Sequence, residues 1–488
     1  MASFFDYLQF QARSRPGAPA LVHPTGVVEY ARLVQGSLAA AANLAGNGLK
    51  PGDIAAIRMR DQELHCSVIC GAMLAGITTL SLGGQSARPR GLDVAAFLYD
   101  EKADTDWPRA LQVSQGWLKG EHAAGSRALK APAHDGIARI ICTSGTTGQQ
   151  KAVPFTETQL IERVWRQVVG QRPHLGPCRA TSMMGIMSGV GFTNLMLTLM
   201  TGGALFLGWD QARSPDALSL YMLDRLLASP MQLTRLLKAA RERHASFPSL
   251  NSLVVGGSHV SPQLVRQAQA EICRNLICLY GSTEVGVVAT APGDVIVRNP
   301  SAAGYVVPGV KVEAVDTAGK ALGPGEEGFL RIHVANAPAR YANDEEAGRT
   351  AFRDGWFYPG DIGRVAEDGL LFVSGRDAER LNAGGVKVAP GLVEDAVHEW
   401  PNVADVAAFE HLNDMGVSEI AVAIVGDAKI DARALLQFCR QHLGTAAPAR
   451  LLRVREIPRN ETGKIDRDRL QEMAKKAFAK NAPAQPGS

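Results

Sequence analysis

Six short apolar runs constrain the fold of this chain more than anything else in it: DIAAIRM (53–59), ITTLSL (77–82), ARIICT (138–143), GALFLG (203–208), SLVVGG (252–257) and NLICLYG (275–281). Each reads as a strand buried on both faces, and helical stretches such as YMLDRLLASPMQLTRLLKAARERH (221–244) separate them. Doubly buried strands joined by helices predict α/β architecture with mostly parallel sheets. From about residue 306 the character changes. VKVEAVDTAGKAL (310–322), GEEGFLRIHV (325–334) and DGWFYPGDIGRVAEDGLLFVSG (354–375) are short strands with turn signals, which predict a smaller antiparallel β unit. Beyond Arg376 the pattern turns to a compact α+β segment ending near Met473, and the tail KKAFAKNAPAQPGS (475–488) reads as frayed. At 488 residues the chain exceeds one ordinary core, so two or more domains are expected.

Two uncharged runs, 66–87 and 181–210, approach or exceed the length of a membrane span. Glycine breaks both, the second at Gly185, Gly189, Gly191, Gly202 and Gly203, which favours a buried helix followed by a strand over a span. With 51 basic against 48 acidic residues the net charge is only +3, so nothing demands nucleic acid or an anionic membrane as partner. Hydrophobic residues at 46% and charged residues at 20% describe a globular chain with a large core. Seven cysteines show no metal spacing and no disulfide framework, and MASFFDYLQFQARSRPG (1–17) meets charge before any apolar core of signal length. A cytoplasmic protein is expected.

The stretch RIICTSGTTGQQKAVPFT (139–156) then raises a chemical question. A buried strand runs into Thr143, Ser144, Gly145, Thr146, Thr147 and Gly148, and after two glutamines comes Lys151. Consecutive amides and hydroxyls in a glycine-rich turn form an anion-binding concavity, and a lysine nearby supplies a point charge for polyphosphate. The Walker pattern fails, because it needs glycine and lysine adjacent. Taken alone, the stretch also fits a flexible linker.

Four further stretches suit the same chemistry. YGSTEVG (280–286) follows a strand and offers Tyr280, Gly281, Ser282 and Thr283, then Glu284 as a hard oxygen ligand for magnesium. GWFYPGDIG (355–363) places Asp361 at a glycine-flanked turn where a carboxylate can accept two ribose hydroxyls. SGRDAERLNAGG (374–385) brings Arg376, and PRNETGKID (458–466) brings Lys464.

In this order the five stretches resemble the adenylate-forming superfamily of acyl-CoA synthetases, luciferases and peptide-synthetase adenylation domains, over about residues 137–467. The resemblance implies a large N-terminal domain, 1–376, with the ATP and acyl sites, and a small mobile α+β C-terminal domain, 377–488. TSGTTGQQK would be the phosphate loop, VGGS (255–258, with Gly257 and Ser258) and YGSTE the adenine and magnesium segment, and YPGD the ribose clamp. GRDAERLNAGG would be the hinge. Lys464 would be the catalytic lysine of adenylation, assisted by Thr147 and Glu284, which would also hold magnesium, and Gly385 would serve the CoA step.

The implied activity is that of an ATP-dependent carboxylate–CoA ligase. A carboxylate attacks the α-phosphate of ATP to give acyl-adenylate and pyrophosphate, and the thiolate of CoA then displaces AMP. An enzyme loading a carrier protein and a non-catalytic nucleotide-binding homologue are the alternatives, and a homodimer is left open. By spacing, Met187 and Ser188 of GIMSGVGF (185–192), with Gly189, Gly257 and Gly281, border the acyl group. No Arg or Lys lies in 181–210 to neutralise a second carboxylate, so a monocarboxylic acid with an apolar body is expected. Gln150 stands where the family usually has Pro, Pro359 where it has Thr, and Ala378 where the hinge has Asp or Lys; residues 82–130 fit the family poorly.

Overall fold

The computed structural model describes residues 2–83, 89–101, 107, 109–119, 136–143, 150–171, 178–208, 214–383, 386–413, 418–459 and 465–479. Among them, strands form sheets of 15, six, three and two members. All six apolar runs contribute strands, and the two largest sheets are parallel at their centres. In the six-stranded sheet the order is Ala110–Gln112, Val94–Tyr99, Ile54–Arg58, Thr78–Ser81, Ile137–Thr143 and Lys151–Thr156, and only the last pairing is antiparallel. Residues 82–130 thus supply two strands and a 3-10 turn, Gln115–Leu118, to this sheet and its flank.

In the large sheet the parallel strands are Pro19–His23, Ala204–Phe206, Arg179–Ser182, Arg225–Ala228, Ser252–Gly256 and Leu276–Ser282. The expected antiparallel unit is present but is continuous with that sheet, because Gly286–Pro292 pairs with Leu276–Ser282 and Ala302–Val306 pairs in turn with Leu370–Arg376. Buried side chains from both sheets, Ile141 and Phe155 on one side and Leu205 and Val288 on the other, join a single apolar cluster around the helix Gly189–Met200.

The uncharged runs resolve as expected. The first becomes the helix Gln62–Leu74 and the strand Thr78–Ser81, the second the helix Gly189–Met200 and the strand Ala204–Phe206. No described helix is long and apolar enough to cross a membrane. The stretch 221–244 departs from its helical reading, since it holds the fully buried strand Arg225–Ala228 and only then the helix Pro230–Arg243. Pro230 forces Ser229 into extended backbone, and the Ser229 hydroxyl caps the helix by accepting from the Gln232 amide. The four residues before it are buried because they pair on both sides, with Ser252–Gly256 and Arg179–Ser182.

The C-terminal segment has its own core. Val403–Leu412, Ser418–Gly426 and Arg450–Arg453 form the three-stranded sheet. Alternate residues divide between two apolar clusters, Val406 and Ala408 on one face and Ala407 and Phe409 on the other. The last helix, Arg467–Ala479, continues past Met473 into part of the tail expected to fray. Phe478 holds it there by packing edge-on against His411, with ring centroids 4.9 Å apart.

Among the described residues, side-chain contacts tie this segment to the rest of the chain, beside the Asp377 amide donating to the Gly360 carbonyl. Arg380 donates to Glu327 at 2.6 Å, and the His259 ring meets Asp395 of the helix Pro390–His398 at 3.0 Å. Burial opposes charging His259, but Asp395, with Glu394 behind it, outweighs this and raises its pKa. A raised folded pKa means the ion pair is fully formed below the ordinary imidazole range and is lost as pH climbs through the raised value. We therefore expect proteolytic nicking near residue 377 to quicken as pH rises above the ordinary imidazole range. His259→Gln should remove that dependence, and a cleavage rate flat with pH in the native chain would count against the contact.

Candidate active site

The chemistry-bearing segments converge because they leave the carboxyl ends of parallel strands, where open α/β sheets place ligands. Ile137–Thr143 ends at the glycine-rich loop, Ser252–Gly256 at Gly257 and Ser258, and Leu276–Ser282 at Thr283 and Glu284. The strands on either side of it pair antiparallel, with Thr143 opposite Lys151 in the ladder. Ser144, Gly145, Thr146, Thr147 and Gly148, like Gly385 and Lys464, lie outside the described residues.

A chain of three side chains crosses from one sheet to the other. The Lys151 ammonium sits 5.1 Å from the centre of the Tyr341 ring, and the Tyr341 hydroxyl donates to Glu284 Oε1 at 2.8 Å. Glu284 is 8% exposed. Burial, with Glu284 as neighbour, pushes the Tyr341 pKa far up, so the phenol remains a donor. Asn343 fastens the same place from below: its Oδ1 accepts from the Ala152 amide and its Nδ2 donates to the Gln150 carbonyl, both at 2.8 Å, bracketing Lys151.

Asp361 and Arg376 face each other as cross-strand partners, with Arg376 Nε 3.4 Å from Asp361 Oδ1. The Tyr280 hydroxyl donates to Asp361 Oδ2 at 2.5 Å. Burial raises the Asp361 pKa, while Tyr280 and Arg376 hold it back by stabilising the carboxylate. Tyr280 stays protonated because burial and Asp361 both push its own pKa well up. A carboxylate has about four lone-pair sites, so acceptor capacity remains on Asp361 for a ligand. Ser282 Oγ is buried with no partner among the described residues, another polar atom available to one. Gly281 is required by the tight return of the chain, since a Cβ there would lie 2.1 Å from the Gly286 carbonyl oxygen.

The sequence reading missed Arg163, which the helix Glu157–Gln171 buries in this site. Its guanidinium lies over the Phe155 ring and donates to the Thr283 carbonyl. Burial pushes its pKa down, Arg166 adds to that, and nearby Glu284 opposes it. A Cβ on Gly189 would come within 3.5 Å of both Arg163 and Thr283, so the helix Gly189–Met200 begins against them. The available signal was a charge on that helix's apolar stripe, beside Leu160 and Val164, which are both buried. Tyr341 and Asn343, from RYAND (340–344), carried no such signal.

Met187 is 42% exposed and lines a cavity of about 250 Å³ together with Gly185, Ile186, Met183, Phe206 and Leu218. Ser188 serves the backbone, since its hydroxyl caps the helix by accepting from the Gly191 amide and donates to the Gly185 carbonyl. Gly257 has φ +97°, and a Cβ there would meet the Met184 methyl at 2.9 Å, so the VGGS turn and the methionine loop are in close approach.

Residues 8–341 match the family of AMP-binding enzymes. The chain is 27% identical over 387 residues to the indoleacetate–CoA ligase of Aromatoleum aromaticum, covering 75% of this chain and 74% of that one. It is 27% identical over 526 residues to the medium/long-chain-fatty-acid–[acyl-carrier-protein] ligase FadD10 of Mycobacterium tuberculosis, over 97% and 96% of the two. The amide bond synthetase McbA of Marinactinospora thermotolerans superposes with a TM-score of 0.85 at 23% identity, over 96% of this chain and 99% of that one. The chain belongs to the AMP-binding enzyme family, within the adenylate-forming superfamily.

The Asp361 cluster yields a direct test. Asp361→Asn preserves shape and can still accept from Tyr280, so the melting temperature should shift by only a few degrees. Loss of charge-assisted acceptance should weaken ATP binding by about 1.5 to 3 kcal/mol. Calorimetric titration with ATP that gives the native dissociation constant would remove Asp361 from the nucleotide site.

Proposed function

We infer that the chain is an AMP-forming acid–thiol ligase, an acyl-CoA synthetase that joins a monocarboxylic acid to CoA through an acyl-adenylate. The observation that carries this reading is the convergence of Lys151, Glu284 and Arg163 with the Tyr280–Asp361–Arg376 cluster beside an apolar cavity.

The chemistry follows from charge and position. Adenylation builds negative charge on the α-phosphate oxygens as the carboxylate attacks, so preorganised cations and amides lower the barrier. Lys151 and the glycine-rich loop would hold the β- and γ-phosphates, Asp361 the ribose hydroxyls, and Tyr280 and the VGGS turn the adenine. Arg163, charged and dry, sits where the acid's own carboxylate would enter and can hold it without water's competition.

Glu284 suits magnesium. Tyr341 occupies only Oε1, and a nucleotide-bound magnesium ion needs one or two carboxylates alongside phosphate oxygens. Glu284 and Thr147 would hold the ion, which when bound neutralises charge on the phosphates. The acyl body would lie in the Met187 cavity, whose walls are mainly apolar.

The C-terminal segment, taken to begin after Arg376, would turn about the 3-10 stretch Asp377–Glu379 between half-reactions, presenting Lys464 to the first and the segment around Gly385 to the second. Its separate apolar clusters support movement as a unit.

Lys464→Ala should lose acyl-adenylate formation by roughly two orders of magnitude or more, since such a cation is worth roughly 3 kcal/mol or more. Supplied with presynthesised acyl-adenylate and CoA, the same variant should make thioester at close to the native rate. Equal and severe loss in both halves would contradict the rotation. For the acyl site, Met187→Trp should shift preference towards shorter acids with little change in melting temperature, because Met187 is half-exposed and not core. Uniform loss across an acid panel, assayed as AMP release with CoA, would place the acyl group elsewhere.

A further inference from the structure

Beneath the acyl cavity lies a buried arginine with no acid bonded to it among the described residues. Arg139 is 1% exposed and its guanidinium rests 4.1 Å from the centre of the Phe192 ring. Its Nη1 donates to Thr79 Oγ1 at 3.1 Å, and its Nη2 to Ser81 Oγ at 2.9 Å and the Ile186 carbonyl at 3.3 Å. Every acceptor is neutral. A lone buried cation is costly, and structure alone gives little reason to keep one where a leucine would pack.

The next atom outward suggests a reason. Ser81 Oγ lies 2.9 Å from Nε2 of His65, which is 3% exposed and lines the cavity with Gln62, one helical turn away on the helix Gln62–Leu74. In the tautomer on which the proposal below rests, the Ser81 oxygen accepts from Arg139 and donates its own O–H to Nε2, and the imidazole carries its proton on Nδ1. Burial, with Arg139 as neighbour, pushes the His65 pKa down to about 3, so the ring is neutral at working pH. His65 Nδ1 has no partner among the described residues. An N–H so placed, at the end of a relay that begins on a cation, is a fixed and polarised donor in the wall of a mainly apolar chamber whose other polar lining is Gln62, Thr181 and Ser182.

Resting on the ligase reading above, we propose that His65, oriented by Ser81 and Arg139, reads a hydrogen-bond-accepting oxygen at the far end of the acyl group. The preferred acid then has a short apolar body ending in a carbonyl, ether or similar oxygen, and a plain hydrocarbon end is a poorer fit. The discrimination arises because an isosteric methyl would enclose the donor without a partner, and sites built around a buried donor reject such analogues strongly. The cavity volume of about 250 Å³ suits a short or single-ring acid. Its apolar lining from Met59, Met183 and Phe206 accepts the rest of the acyl group.

The test compares acids that differ only at that end: 5-oxohexanoate with 5-methylhexanoate, and 4-acetylphenylacetate with 4-isopropylphenylacetate. With full-length protein, ATP and CoA, kcat/KM for AMP release should favour the oxo acid of at least one pair by roughly tenfold or more. His65→Leu should bring that ratio near one while leaving the methyl acid within a few-fold of native. His65→Asn, whose amide nitrogen can stand where Nδ1 stood, should restore part of the ratio, and Ser81→Ala should lower it by freeing the tautomer. General destabilisation would depress both acids together and leave the ratio unmoved. Equal use of both members of each pair, a ratio unchanged in His65→Leu, or AMP from other acids but from neither oxo acid would overturn the inference. A chain that releases no AMP with any carboxylic acid overturns instead the ligase reading on which it rests.

Discussion

The contact from Lys151 through Tyr341 to Glu284 is the one on which the rest of the site depends. Lys151 opens the last strand of the six-stranded sheet, and Glu284 lies in the turn that leaves the parallel centre of the large one. Neither sheet brings Lys151 and Glu284 together alone. Tyr341 reaches both because Asn343, two residues on, is fastened to the backbone on either side of Lys151. A cation over an aromatic face and a buried phenol-to-carboxylate hydrogen bond are each modest, but in a dry place they reinforce one another.

Around that contact the protein concentrates charges that a stability criterion alone would remove. Asp361 and Glu284 are both 8% exposed, and Arg139 and Arg163 are buried without a bonded carboxylate among the described residues. Burial displaces the pKa of Asp361, Arg163 and Arg139 against charging in every case. Perturbed groups clustered at a cleft are the pattern expected where substrate charge, not a fixed side chain, completes the pairing. The phosphates and the carboxylate would supply it at Lys151 and Arg163. At Arg139 the charge is passed to a neutral serine and histidine, which makes that end of the cavity a polar reader without making it an anion trap.

The relatives share the adenylating fold while their names give different acceptors, CoA in one, a carrier protein in another and amide formation in a third. This division agrees with the physical layout. The groups proposed to activate the acid sit on two sheets, whereas the proposed second step would depend on a segment with its own cores, tied to the body by polar contacts such as Arg380 with Glu327 and His259 with Asp395. Changing the acceptor need not disturb the first half of the chemistry.

Much of this was legible in local sequence. The strands were, because a strand buried on both faces must be apolar along its length, and so were Asp361, Arg376 and Glu284, because glycine-rich turns after strands are short-range patterns. Where local reading went astray it met a tertiary fact: Arg225–Ala228 looks helical until two neighbouring strands take its backbone hydrogen bonds, and the first five residues of the tail look frayed until Phe478 finds His411. The cations were the largest omission. A search of 181–210 for an arginine near the acyl group finds none, yet the fold delivers Arg139 and Arg163 from a strand and a helix earlier in the chain. Sequence alone determined the class of fold, which rests on periodicity, while the roles proposed for the glycine-rich, YGSTE and YPGD segments come from their ordered resemblance to the adenylate-forming superfamily. Which side chains share the candidate site was decided only by the stacking of two sheets around one helix, because burial and partnership between distant residues exist only once the chain has packed.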